Sequence, residues 1–263
     1  MNKSVYPKKR FGQNFLNNDS YLNRIVAALA IFKHDHLIEI GPGLGALTKK
    51  LLPHCQRLDA IEIDRDLVQH LQSLKEQNQN LYIHQADVLQ FDFGLIKQQC
   101  PLRIVGNLPY NISTPLLFYL LRFYHDIQDL HFMLQREVAE RIVALPGSKT
   151  YGRLSVMLQY HYQPQILFHV PAHAFTPQPK VTSSFIKLLP FTREKHAQNP
   201  ELFAKLVNLV FTQRRKMLKN SLATMIPPER LRNLNISLTI RPEELAVEEF
   251  VELSNIMSSG GIL

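Results

Sequence analysis

Residues 37–45 read Leu-Ile-Glu-Ile-Gly-Pro-Gly-Leu-Gly, and after a helical run that ends near Pro53, residues 58–63 read Leu-Asp-Ala-Ile-Glu-Ile. An apolar strand, a glycine loop, a helix and a second strand make up half of a nucleotide-binding βαβ unit. Glycines at the strand-to-helix turn let the backbone approach a ligand and aim helix N–H groups at it. Gly41, Gly43 and Gly45 are spaced GxGxG and not GxGxxG, which argues against a dinucleotide pyrophosphate and leaves an adenosine-type ligand. Glu62 ends the second strand 21 residues after Gly41, where a carboxylate can accept from both hydroxyls of a ribose.

Two more strands follow downstream. Leu81–Gln85 runs into Ala86-Asp87, a second carboxylate at a strand's C-terminal end, able to accept from an adenine amine. Leu102–Gly106 delivers the loop Asn107-Leu108-Pro109-Tyr110 to the same edge. Pro109 fixes its own φ and pushes Leu108 towards an extended conformation, so the loop is preset. The Asn107 side-chain oxygen and the Leu108 carbonyl can both accept from one exocyclic amine while the Tyr110 ring stacks on the base that carries it. One end of the sheet thus collects three glycines, two acids and Asn107. A fifth strand and its helix, Arg136 to Val143, are expected between Gln128 and Leu145, a further helix over Tyr151 to Tyr162, and a last strand over Ser183 to Leu189. Between these, Pro177 and Pro179 stiffen a connection that is expected to present Phe175 to the target base.

Upstream, Tyr6, Phe11 and Phe15 interleave with Lys8, Lys9 and Arg10, a pattern that suits a nucleic-acid backbone and its bases. Asn18 or Asp19 caps a helix with Leu22, Ile25, Val26 and Leu29 on one face. The 263-residue chain is 45% hydrophobic, enough for one large and one small domain. Its net charge of +8 is uneven: residues 193–232 carry +6 and residues 233–263 carry −4. A concentrated basic stretch points to a polyanion. It lies in a helix that is expected to start at Asn199-Pro200 and to run on through Arg214, Arg215, Lys216 and Lys219, which are expected to meet phosphates. Shorter helices are expected around Arg230 and Glu248. Cys55 and Cys100 lack metal-ligand spacing, so no metal site is expected and a reducing cytoplasmic setting fits. No signal peptide and no membrane-spanning run is read.

Taken together, Gly-Gln-Asn-Phe-Leu at 12–16, Ile-Glu-Ile-Gly-Pro-Gly-Leu-Gly at 38–45, Glu62, Ala-Asp at 86–87, Asn-Leu-Pro-Tyr at 107–110, Tyr-Gly-Arg-Leu-Ser-Val at 151–156 and Phe-Thr-Pro-Gln-Pro-Lys-Val at 175–181 resemble the ribosomal RNA adenine dimethyltransferases, the bacterial small-subunit branch most of all. Phe-Thr-Gln-Arg-Arg-Lys-Met-Leu at 211–218 extends the resemblance over nearly the whole chain. It implies a Rossmann-like α/β fold with a seven-stranded sheet, residues 1–192, and a small C-terminal α-helical domain, residues 193–263, that docks RNA. It implies S-adenosylmethionine as methyl donor, held by Asn14, Leu16, Gly41, Glu62, Asp87 and Asn107; the glycine-loop pattern itself adds Gly43 and Gly45 to the expected cofactor residues. Asn107, Leu108, Pro109, Tyr110 and Phe175 would then form the catalytic end of the site. The implied reaction is four methyl transfers onto two adjacent adenosines near the 3′ end of small-subunit rRNA, within an immature 30S particle, with no obligate protein subunit. The alternatives are a large-subunit enzyme conferring macrolide resistance, and a ribosome-assembly or transcription factor that keeps the fold without the chemistry.

Overall fold

In the computed structural model, residues 7–8, 11–97, 101–191, 196–223 and 236–258 are described. The chain divides into two compact units, Met1–Ala139 with Pro164–Pro190, and Glu140–Gln163 with Phe191–Leu263. The expected division at 192/193 therefore differs mainly in one segment: residues 140–163, which precede the last two long strands, group with the helical unit.

The first unit opens with a short strand, β1 (Phe15–Leu16), and helix α1 (Asp19–Leu29). Asn18 caps that helix through a side-chain bond from Tyr21 N–H, and Leu22, Ile25 and Leu29 are buried along one stripe, as their spacing predicts. The alternation then runs β2 (His36–Ile40), α2 (Ala46–Leu51), β3 (Arg57–Glu62), α3 (Arg65–Gln77), β4 (Leu81–Gln85), β5 (Leu102–Asn107), α4 (Ser113–Leu120), β6 (Ile127–Gln135) and α5 (Arg136–Ile142). After α6 (Arg153–His161) come β7 (Tyr162–Val170), the two-residue β8 (Phe175–Thr176) and β9 (Ser183–Pro190). Seven strands form one sheet in the order β4-β3-β2-β5-β6-β9-β7, and β1 pairs with β8 separately.

Strands β2 to β6 are parallel, and β9 joins β6 antiparallel. Parallel strands covered on both faces read as continuous apolar runs, which is why 37–40 and 58–61 carry so little alternation. Strand order reverses between β2 and β5, and the crevice at such a switch point is where open α/β sheets bind ligands. Gly106 stands opposite Ile40 across that switch, and a Cβ there would come within 2.6 Å of the Ile40 carbonyl oxygen. The two central strands approach as closely as they do because residue 106 has no side chain.

Buried ions pin parts of this sheet. Arg103 of β5 binds Asp129 of β6 (Nη2–Oδ2, 2.8 Å), Asp35 ahead of β2, and the Leu29 carbonyl at the end of α1 (2.5 Å). Asp59 of β3 accepts from His36 (2.5 Å), His84 (2.6 Å) and Arg57 (2.6 Å). Burial alone would raise the Asp59 carboxyl, but these three partners outweigh it and hold the group well below the usual carboxylate range. Glu39 of β2 is different. It is 2% exposed, its Oε2 has no hydrogen-bond partner, and burial pushes its carboxyl from 4.5 up to about 7.

The Glu39 shift sets a stability prediction. Between pH 4.5 and 7 the unfolded chain ionises Glu39 while the folded chain keeps the proton, so stability falls as pH rises through that window and levels off above it. The loss should be about 3 kcal/mol. Urea unfolding of Glu39→Gln and of the parent at pH 5 and pH 8 checks this: the variant should gain on the parent at pH 8. Equal differences at the two pH values would mean that Glu39 titrates normally.

The second unit is helical. Besides α6 it contains α7 (Pro200–Thr212), α8 (Leu218–Leu222) and α9 (Val247–Ser258). Asn199 caps α7 through Leu202 N–H, and Pro200 occupies its first turn, as the sequence predicts. Phe203, Leu206, Val207 and Val210 form its buried face, with Tyr160 packed on Phe203 and Phe211 beside Phe250. The expected run of one helix through Lys219 is corrected: α7 stops at Thr212. Lys216 N–H closes a turn on Gln213 (2.8 Å), and the N–H groups of Leu218 and Lys219 bond to Ile240 and Leu238 carbonyls instead of to a preceding helical turn. The helix around Glu248 is α9, while the one expected around Arg230 lies outside the described residues.

Candidate active site

The C-terminal ends of β2, β3, β4 and β5 open into a cleft at the edge where open α/β sheets bind ligands. Gly41, Gly43, Glu62, Asp87, Asn107, Leu108, Pro109 and Tyr110 line it together, as does the arm segment Phe11 to Phe15. These residues are spread over a hundred positions of sequence, and the parallel sheet delivers them to one rim.

The glycine loop is shaped by contact with the arm. Gly41 and Gly43 have φ of +68° and +59°. A Cβ on Gly43 would meet the Phe15 ring at 2.8 Å, so glycine there serves ring contact. Gly45 is corrected as a cofactor residue. It caps α2 in the left-handed region and faces Leu71 and Leu74 of α3, so its role is helix packing, and it does not line the cleft.

Glu62 is 5% exposed and accepts from Gly43 N–H (3.2 Å) and Asp64 N–H (2.9 Å). Burial pushes its carboxyl up, and those two donors pull it back only in part. One lone pair on each oxygen remains for further donors, the number that a ribose diol brings. Asp87, which lines the cleft, accepts from Leu89 N–H through one oxygen (3.0 Å), and its other oxygen has no donor among the described residues. Val88, Leu89 and Ile63 supply apolar wall around these acids.

Asn107 donates its amide N–H to the Asn14 carbonyl (2.7 Å). That bond fixes the amide and leaves Oδ1 as an acceptor with no donor among the described residues. The Leu108 carbonyl likewise receives no hydrogen bond among them, whereas the next carbonyl, of Pro109, is used by Ile112 N–H (3.1 Å). The Tyr110 hydroxyl is tied to Ser183 Oγ (2.8 Å) at the start of β9, so the ring is fixed at the cleft wall. Burial raises its phenol further above neutrality, and Tyr110 stays protonated.

Several expected residues lie elsewhere. Phe175 is 3% exposed and pairs with Leu16 in the β1–β8 ladder, inside an apolar cluster with Leu22, Phe185 and Ala174. It is not presented to the cleft, because its pairing with Leu16 turns it into that cluster. Leu16 is corrected too: it lines a smaller inner pocket with Glu39 and Met133, and its neighbour Phe15 takes the cleft position. Asn14 reaches the site through its backbone carbonyl, its side chain bonding Gly12 O (3.2 Å). Lys8 is committed to Asp64 (2.5 Å) and Asp66 (2.6 Å), which tethers the arm beside Glu62 instead of leaving a free cation. Lys9 and Arg10 lie outside the described residues. Arg214 pairs with Glu243 (2.5 Å), while Arg215, Lys216 and Lys219 are exposed and have no acidic partner among the described residues.

Ile63, Val88 and Leu89 carry no motif in the sequence, and Phe11 and Phe15, expected as nucleic-acid contacts, line the cleft. The signal available for Ile63, Val88 and Leu89 is adjacency: each follows a strand-end acid. Among the described residues no cluster of His, Cys, Asp or Glu is arranged to hold a metal, and no helix is long and apolar enough to cross a membrane.

A family model described as ribosomal RNA adenine dimethylase matches residues 6–259. The protein named ribosomal RNA small subunit methyltransferase A from Coxiella burnetii is 50% identical over 259 residues, 97% of this chain and all of that one. Its namesake from Acinetobacter baylyi is 49% identical over 95% of this chain and 92% of its own. Among solved structures, a dimethyladenosine transferase from Plasmodium falciparum superimposes with a TM-score of 0.82 at 26% identity, covering 94% of this chain and 98% of that one. The 23S rRNA methyltransferase ErmE shares the fold, with a TM-score of 0.72 at 23% identity, over 93% and 100% of the two chains. With a family model spanning almost every residue and relatives at about half identity over nearly their full length, this chain belongs to the ribosomal RNA adenine dimethylase family.

Proposed function

We propose that this chain transfers methyl groups from S-adenosylmethionine to the exocyclic amines of two adjacent adenosines near the 3′ end of 16S rRNA, during small-subunit biogenesis in the cytoplasm. The observation that carries the reading is the pair of bare acceptors, Asn107 Oδ1 and the Leu108 carbonyl, set beside the tethered Tyr110 ring. An adenine amine is a poor nucleophile because its lone pair is delocalised into the ring. Two acceptors on its two hydrogens draw the nitrogen towards a pyramidal geometry and free that lone pair, while Tyr110 stacks on the base and fixes its plane.

The donor set of the cleft fits an adenosine-type cofactor: Glu62 for the ribose hydroxyls, Asp87 for the adenine amine, Ile63 and Val88 for the purine faces, and the Asn14–Asn107 pair with Gly41 and Gly43 at the other end. When bound, S-adenosylmethionine supplies a methyl group already activated by its sulfonium. The chain's own task is then to aim, and positioning can contribute roughly 7 to 11 kcal/mol of the barrier. Tyr110 is protonated and acts by contact, not as a base.

Exposed Arg215, Lys216 and Lys219 of the helical unit are the proposed phosphate contacts, and Arg214 a brace. The test is incubation with labelled S-adenosylmethionine and either 16S rRNA or immature small subunits, followed by mapping of the labelled base. Label on two adjacent adenosines near the 3′ end supports the proposal. Label only in large-subunit rRNA would transfer the chain to the alternative substrate, and cofactor binding without transfer to any RNA would make it an assembly factor.

A further inference from the structure

The consecutive residues Phe11 to Phe15 form one wall of the cofactor cleft, and the two ends of that wall are held by different kinds of bond. Downstream the hold is backbone: Phe15 and Leu16 pair with Thr176 and Phe175 in the β1–β8 ladder, and the Asn14 carbonyl accepts from Asn107. Upstream the hold is charge. Lys8 Nζ binds Asp64 (2.5 Å) and Asp66 (2.6 Å), the Lys8 N–H donates to Gln13 Oε1 (2.7 Å), and Gln13 Nε2 donates to Asp64 Oδ2 (3.2 Å). The arm thereby uses both oxygens of Asp64, whose own N–H donates to Glu62 (2.9 Å). Between the two ends, a Cβ on Gly12 would come within 3.0 Å of Asn111 Oδ1, so the arm also lies against the loop that carries Asn107.

The acids do not depend on the arm for their place. Asp64 caps α3 by accepting from Asp66 N–H (3.1 Å), and the Asp66 side chain is 58% exposed. What the ion pairs fix is the arm. A pair with an exposed partner is weak and screened by salt, whereas a backbone ladder with Leu16 and Phe175 buried in it is neither, so the wall opens from the Lys8 end and hinges at β1. Each methyl transfer leaves a demethylated cofactor to be exchanged before the next, and a wall released at a charge pair gives it a way out. We propose that Lys8 is a positioning residue, a clasp that acts through Asp64 and Asp66 to close the arm over bound cofactor and so sets how fast cofactor enters and leaves, with no part in the transfer itself. The inference rests on the reading of this cleft as the S-adenosylmethionine site.

The test compares the full-length parent with Lys8→Met, Lys8→Arg, Asp66→Asn and the double variant. Association and dissociation of labelled S-adenosylmethionine are followed by rapid mixing and chase with unlabelled cofactor, and methyl transfer to 16S rRNA is measured in a single turnover at saturating cofactor. Lys8→Met should speed dissociation about fivefold, the size that exposed ion pairs carry. Association should quicken too, because the empty cleft is also less closed, so affinity falls by less than dissociation rises. Lys8→Arg should restore the parental rates, and the single-turnover rate should be the same in all. Asp66→Asn should have a smaller effect, since Asp64 still holds Lys8, and should add nothing to Lys8→Met. Raising the salt concentration should speed dissociation from the parent but not from Lys8→Met. Parental dissociation by Lys8→Met, additive effects in the double variant, or a salt response that survives Lys8→Met overturns the proposal. So does a single-turnover rate that falls with Lys8→Met, which would place Lys8 in the transfer machinery, or weakened rRNA binding at parental cofactor rates, which would make it an RNA contact. Failure of the cofactor reading is seen separately, as a parent that binds no S-adenosylmethionine.

Discussion

Asn107→Ala is expected to lower the single-turnover rate of methyl transfer by about a hundredfold to a thousandfold at saturating cofactor, the range seen when one preorganised polar contact to a developing charge is removed. The change deletes the Oδ1 acceptor and also the amide that bonds the Asn14 carbonyl, so cofactor affinity should fall modestly, by about 1 kcal/mol. Asn107→Asp separates the two losses. It retains an acceptor towards the amine but places a second oxygen against the Asn14 carbonyl, so it should bind cofactor less well than the parent yet transfer faster than the alanine variant once saturated. Tyr110→Phe, which removes only the tie to Ser183, should keep most activity, whereas Tyr110→Ala should lose about 1 to 3 kcal/mol of base stacking. A folded alanine variant of Asn107 that transfers methyl at the parental rate would remove the acceptor from the mechanism.

The parts of this site that can be read from sequence are the ones fixed by local chemistry at strand ends. Gly41, Glu62, Asp87 and Asn107 each follow a short apolar run, and a parallel sheet with a switch point between β2 and β5 brings the ends of such runs to one rim. Residues whose place depends on a distant partner are not readable in that way. Gly45 has the same spacing as its neighbours, but α3 packs against it, and that is settled by Leu71 and Leu74, about 30 residues away. Phe15 and Leu16 alternate across β1, so pairing with β8 decides which of them enters the cleft; it sends Leu16 and Phe175 inward together. The basic run looks continuous as a helix because nothing in 213–219 breaks one. In the fold α7 ends at Thr212, and the N–H groups of Leu218 and Lys219 pair with the carbonyls of Ile240 and Leu238, from a later segment, at the start of a separate helix. Arg214 and Lys8 show the same limit for charge: both look like free cations until the fold supplies Glu243 or Asp64 and Asp66.

Glu62→Ala is expected to weaken S-adenosylmethionine binding by about 1.5 to 3 kcal/mol, the cost of losing hydrogen bonds to a charged acceptor. In dissociation constant that is roughly tenfold to a hundredfold or more. Two effects act in the same direction, since the variant removes the proposed ribose acceptor and also leaves the Gly43 and Asp64 N–H groups without the partner that shapes the glycine loop. Glu62→Gln should not rescue it, because an amide N–H₂ would then face one of those two N–H donors. Against this stands relief from a buried charge. The Glu62 carboxyl is raised by burial, so its ionisation destabilises the free protein, and that cost grows as pH rises through the interval between the ordinary value and the raised one. The alanine variant is therefore expected to bind cofactor poorly and yet to unfold no more easily than the parent at pH 8. The pH profile of binding carries the same sign: because the carboxylate is the acceptor, parental affinity should weaken on acidification earlier than an ordinary glutamate would dictate, and the variant should lack that step. Calorimetry of cofactor binding across pH 5 to 8, alongside binding of rRNA, which should not change, measures all of this. Equal cofactor affinity in a folded Glu62→Ala protein would take the carboxylate out of the site and leave Asp87 as the acid that reads the nucleoside.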